Sequence, residues 1–97
     1  MAHYILLLRY TEQGIRNIQD TTKRAAAFRV MAEKMDAKVN TILWTMGQYD
    51  LVAHLEAPND ETASAVSVGV GKLGNVSVQT LRAFTSAEVD GILKKAG

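Results

Sequence analysis

The chain contains no cysteine. That single absence excludes disulfides, thiolate metal sites, iron–sulfur clusters and cysteine nucleophiles together. Long apolar runs are missing too: the longest is Ile5–Leu8, far short of the ~20 residues a membrane helix needs. No single sign of charge dominates. Eleven Lys and Arg oppose ten Asp and Glu, a formal net of +1, and no basic block or stripe suits a phosphate backbone. Residues 1–40 carry seven bases and four acids and residues 41–97 four and six, a mild asymmetry. Met1–Arg9 has neither the basic start nor the small-residue cleavage site of a signal peptide. The expectation is a soluble cytoplasmic protein without nucleic-acid or membrane partners. Its 97 residues, 47% hydrophobic, make one domain over 1–97 and argue against disorder.

Periodicity predicts the elements. Tyr4–Tyr10 is a short apolar strand, stopped by Thr11-Glu12-Gln13-Gly14, and Gly14 and Asn17 mark a loop through about Gln19. Asp20 or Thr21 caps a helix whose Phe28, Met31, Ala32 and Met35 share one face. Lys38–Trp44 and Tyr49–Glu56 are strands joined by Thr45-Met46-Gly47-Gln48, a link short enough to require an antiparallel hairpin. The only proline, in Pro58-Asn59-Asp60, ends the third strand, and a second helix runs to about Lys72 with Ala63, Val66, Val70 and Leu73 inward. Val76–Arg82 alternates as a fourth strand, and Thr85-Ser86-Ala87-Glu88 is a capping box for a short last helix. The order β-α-β-β-α-β plus a helix predicts an α+β, ferredoxin-like fold, with both long helices on one face of a four-stranded antiparallel sheet.

That plan leaves the other sheet face open. In the third strand Tyr49, Leu51, Ala53 and Leu55 form one set, expected under the helices; Asp50, Val52, His54 and Glu56 form the other. The first strand is apolar on both sides, Ile5 and Leu7 against Leu6 and Leu8. So is the second, Val39 and Leu43 against Ile42 and Trp44. Strands apolar on both faces are normally covered on both. The chain is too short to supply a second cover, so a second copy of it is the simplest one: a homodimer or higher oligomer, sheet against sheet.

The segments Thr45-Met46-Gly47-Gln48-Tyr49-Asp50-Leu51-Val52 and Glu56-Ala57-Pro58-Asn59-Asp60-Glu61 resemble the GYD-domain family. So do Tyr4–Tyr10 with Thr11 and Gly14, Leu73-Gly74-Asn75-Val76, and Thr80-Leu81-Arg82-Ala83-Phe84. Gln48 stands between the Gly and the Tyr-Asp pair as a variant spelling of the motif. The resemblance implies a dimeric α/β barrel, two ferredoxin-like sheets closing on one another. Relatives in that superfamily include cofactor-independent oxygenases, haem enzymes, isomerases and ligand-sensing modules, so fold alone selects no activity.

Several side chains could carry chemistry in such a barrel. His54 and Asp50, expected together on the open face, are the candidates for moving a proton. As plain structure, His54 is an interface histidine and Asp50 caps turn amides or pairs with an arginine. Arg9, Tyr10 and Arg82 at strand ends are candidates for holding an anionic ligand at the mouth, or for pairing with Asp50 or Glu56. Trp44 is a candidate cavity lining, or core, or interface. His3, close to the chain start, carries no evident role. The spacing of His3, His54, Asp50 and Glu56 matches no metal site, so no metal or cofactor is expected. Gly69 and Gly71 come too late in their helix for a phosphate cradle, no G-x-S-x-G is present, and the third strand lacks the aromatics of an RNA-reading sheet. Three functions fit: a small oligomeric binding protein for a hydrophobic or anionic molecule, a cofactor-independent oxygenase or isomerase, and a ligand-sensing regulatory module.

Overall fold

Alternation of apolar residues builds the sheet first. In the computed structural model, which describes residues 1–97, the elements are β1 (Ala2–Tyr10), α1 (Glu12–Arg16), a 3-10 turn at Ile18–Asp20, α2 (Thr21–Lys34), β2 (Lys38–Trp44), β3 (Leu51–Ala57), α3 (Asp60–Gly71), β4 (Val76–Ala83) and α4 (Ser86–Ala96). The four strands run in the order β2-β3-β1-β4, every neighbouring pair antiparallel. This is the ferredoxin-like arrangement the element order predicts.

The core lies between the sheet and α2 and α3. Tyr4, Leu6 and Leu8 of β1 and Leu51, Ala53, Leu55 and Ala57 of β3 are buried there, opposite Phe28 and Ala32 of α2 and Ala63 and Val66 of α3. Leu6, Leu55 and Val66 are the largest side chains wholly removed from solvent. Each contributes roughly 1.5–3 kcal/mol of hydrophobic stabilisation. The Gly69 position faces Met31: a Cβ there would stand 3.1 Å from its sulfur, so the glycine lets α3 approach α2. Asn59 caps α3 by accepting from the Thr62 amide.

Two details differ from the sequence expectation, and a third assigns the faces of β1 that alternation left open. The stretch read as loop after Thr11 holds the five-residue α1: Thr11 accepts from the Gly14 amide and donates to the Gly74 carbonyl, tying this turn to the start of β4. Leu6 and Leu8 face the helices, leaving Ile5 and Leu7 on the open face. In β2 a bulge falls between Val39 and Thr41. Beyond it the side chains change sides, so buried Val39 shares the helix face with Ile42, opposite Ala53, and Leu43, opposite Val52, is on the open face.

α4 stands apart. It begins at the expected capping box, with Thr85 and Glu88 exchanging bonds, yet none of its residues is buried. Val89, Ile92 and Leu93 are 39%, 43% and 61% exposed. The radius of gyration is 14.5 Å, against about 12–13 Å for a compact domain of this length, and the long dimension is 50 Å. No helix is long and apolar enough to cross a membrane.

Candidate functional site

The open face carries the chemistry-bearing side chains. β1 sets His3, Ile5, Leu7 and Arg9 on it, and the register places His3 opposite Glu56, Ile5 opposite His54 and Leu7 opposite Val52. Toward one end of it His3 and His54 meet across the diagonal: His3 Nδ1 is 2.9 Å from His54 Nε2, and the rings stack 5.1 Å apart at 27°. One of the two nitrogens donates and the other accepts, the direction being set by the ring tautomers. The bulge turns Asn40 toward this pair. Its amide donates to Glu56 Oε2 at 2.7 Å and lies 3.4 Å from His54 Nδ1. The Asn40 bond is the main reason that the Glu56 carboxyl is held below its ordinary pKa of 4.5, with the positive charge of Lys38 acting in the same direction. A depression of about 450 Å³ adjoins the pair, walled by Ile5, Leu43, Val52 and Phe84.

A second polar group lies at the far end of the face. Arg9 donates through Nε to the Gln48 carbonyl at 3.0 Å and lies over the Tyr49 ring, 5.3 Å from its centroid. Tyr49 donates its hydroxyl to Gln79 at 2.6 Å. Tyr49 is therefore on the open face and not under the helices; it precedes β3, outside the alternation that led to the opposite expectation. Gly47, at φ +108°, makes the turn that brings it there.

The other candidates disperse. Asp50 also precedes β3, and its carboxylate accepts the Tyr10 amide at 2.8 Å, closing the end of the β1–β3 ladder. Four extended residues separate it from His54, about 13 Å, so the two do not form a pair. Tyr10 points to the helix side, where its hydroxyl is 2.8 Å from the Thr21 hydroxyl. Trp44, opposite Leu51, is on the same side and donates its indole N–H to Thr21 at 3.0 Å. Arg82 is opposite Tyr4, on the helix side and roughly 17 Å along the sheet from Arg9. It stacks on Tyr4 and Phe84, at 5.5 and 4.5 Å, and approaches Asp60 and Glu88 at 4.0 Å each. Arg9 and Arg82 thus occupy opposite ends and opposite faces, and they share no mouth within one chain.

Arg82 belongs to a structural cluster. Tyr4, 2% exposed, donates to Asp60 at 2.5 Å. Burial first, then the Asp60 bond and charge, push its phenol up to about 12. Glu88 is held low chiefly by the Thr85 amide it accepts. Among the open-face residues, sequence reasoning missed His3 and Asn40. Pairing His3 with His54 requires the β1–β3 register, and Asn40 reaches the face only through the bulge. No three His, Cys, Asp or Glu side chains come together in a metal-ligating group.

The architecture defines a small ferredoxin-like α+β protein with one sheet face uncovered. A family model of the GYD domain matches residues 4–93, nearly the whole chain, and the protein belongs to the GYD-domain family. No curated protein and no solved structure matches it.

Proposed function

We propose that this chain works as a homodimer whose two open sheet faces close on one another, and that the pair holds a small, partly apolar molecule beside His3 and His54. One observation carries the reading: a hydrogen-bonded histidine pair sits inside an uncovered apolar field. Ile5, Leu7 and Val52 are half-buried around it, and Leu43 and Leu81 are 56% and 37% exposed. Burying about 800 Å² per subunit makes an interface of ordinary size, and a two-fold axis lets the same face serve both copies. The unattached α4, with Val89, Ile92 and Leu93 bare, supplies further apolar surface for the partner. A net charge of +1 opposes self-association little.

The bound molecule is one with an apolar body and a hydrogen-bonding group. The depression is walled mainly by hydrocarbon, and its polar residues are His3 and His54 with Thr41 and Thr85. An oxygenase or isomerase would draw on the same pair. Asp50, the other candidate for proton transfer, is engaged by the Tyr10 amide at a distance from it.

Sedimentation equilibrium tests the assembly. The expected mass at tens of micromolar is twice 10.6 kDa, and Leu43→Glu, which sets a charge in the field, returns it to one chain. A single-chain mass for the unaltered protein overturns the pairing. Phenol, a ring with one hydroxyl, probes the site: it is expected to shift the His3 and His54 ring-proton resonances in the dimer, and their failure to move at millimolar phenol overturns the ligand class.

A further inference from the structure

The helix side of the sheet holds apolar space of its own, smaller than the open-face depression. A separate cavity of about 280 Å³ lies on the helix side, beneath α2. Native cores leave few voids larger than one water molecule. This one lies where α2 borders it with small side chains: Ala25 is half-buried against it, Ala27 stands at its exposed margin, and Ala53 leaves its floor low. Leu8, Phe28, Met31, Ile42, Leu51 and Val70 supply the walls. Leu73, 59% exposed, marks the opening between α2 and the end of α3.

Its walls are mostly hydrocarbon, with Thr21, Arg24 and Asn75 as the polar residues of the lining. A water cluster is disfavoured in such a place, whereas hydrocarbon is taken up readily. The rim is different. Arg24 is half-buried there and donates to two backbone carbonyls, Asn17 at 2.7 Å and Gly14 at 3.3 Å. It has no carboxylate partner; the ion pairs of the chain involve Arg16 and Arg82 instead. A half-buried guanidinium bonded only to carbonyls meets partial negative charges but no full counter-charge at the mouth of an apolar chamber. Beside it the Tyr10 and Thr21 hydroxyls form a bonded pair, 2.8 Å apart.

We propose that the helix-side cavity is a binding site for a medium-length apolar carboxylate, its hydrocarbon chain among Phe28, Met31, Ile42, Leu51 and Val70 and its carboxylate on Arg24 at the rim. The hydrocarbon replaces empty space and gains dispersion contacts that the walls now lack. The carboxylate provides Arg24 with the counter-charge no side chain of the protein provides. Met31 is the adaptable wall, since its unbranched thioether can turn aside to admit chains of different bulk. The site is independent of whether the open faces pair, because it lies on the other side of the sheet.

Octanoate and 1-octanol, equal in chain length and different in charge, separate the two halves of the idea. With the Met31 methyl followed by NMR, octanoate is expected to shift it and to show intermolecular NOEs to it, binding at least tenfold more tightly than octanol. Arg24→Gln is expected to remove that preference while octanol binding stays. Ala25→Phe, which fills the chamber, is expected to abolish both. Absence of any octanoate NOE to Met31 at millimolar concentration overturns the site, and this observation needs only the unaltered protein, so it stands even if Ala25→Phe fails to fold. Equal affinity for octanoate in Arg24→Gln overturns the carboxylate assignment. Octanoate shifts confined to His54 and Val52 would place the ligand on the open face and also overturn the proposal.

Discussion

His3 Nδ1 and His54 Nε2 stand 2.9 Å apart although 51 residues separate them in sequence, joined by the antiparallel register of β1 and β3. Such a bond is net stabilising by about 1 kcal/mol, and the stacked rings share apolar area besides. His54→Ala and His3→Ala are each expected to lower unfolding free energy by about 1 kcal/mol in urea titrations. The double variant is expected to cost less than the sum, with a coupling of roughly 0.5–1 kcal/mol. Strict additivity would show that the two rings are neighbours without interacting.

Tyr4 and Asp60 give the fold an alkaline limit. The Tyr4 phenol ionises near 10 when unfolded and is pushed up to about 12 in the fold. The folded chain therefore holds a proton that the unfolded chain has released, and stability falls as pH rises. The contribution is complete below pH 10 and is lost progressively between 10 and about 12. Tyr4→Phe loses the Asp60 bond, about 1 kcal/mol at neutral pH. Its disadvantage is expected to shrink through that window, since the two proteins differ only at this phenol. A gap that stays constant from pH 9 to 12 would remove Tyr4 as its source.

Much of this fold is written in short-range patterns. The α2 face of Phe28, Met31, Ala32 and Met35, the Thr85–Glu88 capping box and the alternation of β4 all appear where periodicity places them. The site is less legible, for physical reasons that can be named. Alternation fixes which residues share a face but does not carry through a bulge, so Asn40 and Leu43 could not be placed from β2 alone. Tyr49 and Asp50 precede the strand to which the sequence pattern assigns them, so their directions come from the turn at Gly47. The His3–His54 contact depends on long-range register, which local sequence does not encode. The helix-side cavity arises from what alanines omit, and no motif signals it.

Gly14 and Asn75 test the tie between α1 and β4. A Cβ at Gly14 would fall on the Asn75 carbonyl oxygen, the same oxygen that accepts the Thr11 amide at 3.0 Å. Backbone on both sides leaves little room to yield. Gly14→Ala is expected to destabilise by about 1–3 kcal/mol. Gly71→Ala, with nothing within 4 Å of the new methyl, is expected to be stabilising by roughly 0.5 kcal/mol through reduced unfolded-state freedom. Thermal melts of the two variants side by side distinguish steric clash from a general effect of removing glycine.

Glu56 and Asn40 set the acid response at the edge of the open face. The Asn40 amide stabilises the Glu56 carboxylate, so the folded pKa lies below the ordinary 4.5. On acidification the unfolded chain takes up that proton first. Stability from this bond is therefore present above pH 4.5 and is lost as pH falls through the folded value. Glu88, held low by the Thr85 amide, adds a dependence of the same sign at the start of α4. Asn40→Ala removes the leading cause at Glu56 and leaves Glu88 untouched, so urea midpoints measured from pH 6 to 3 are expected to fall less steeply than in the unaltered protein. Glu56 is half-buried at the edge of the face, and added salt is expected to weaken the minor charge effect of Lys38 more than the short Asn40 bond. An acid limb unchanged by Asn40→Ala would mean that the bulge does not hold its amide on Glu56 in solution.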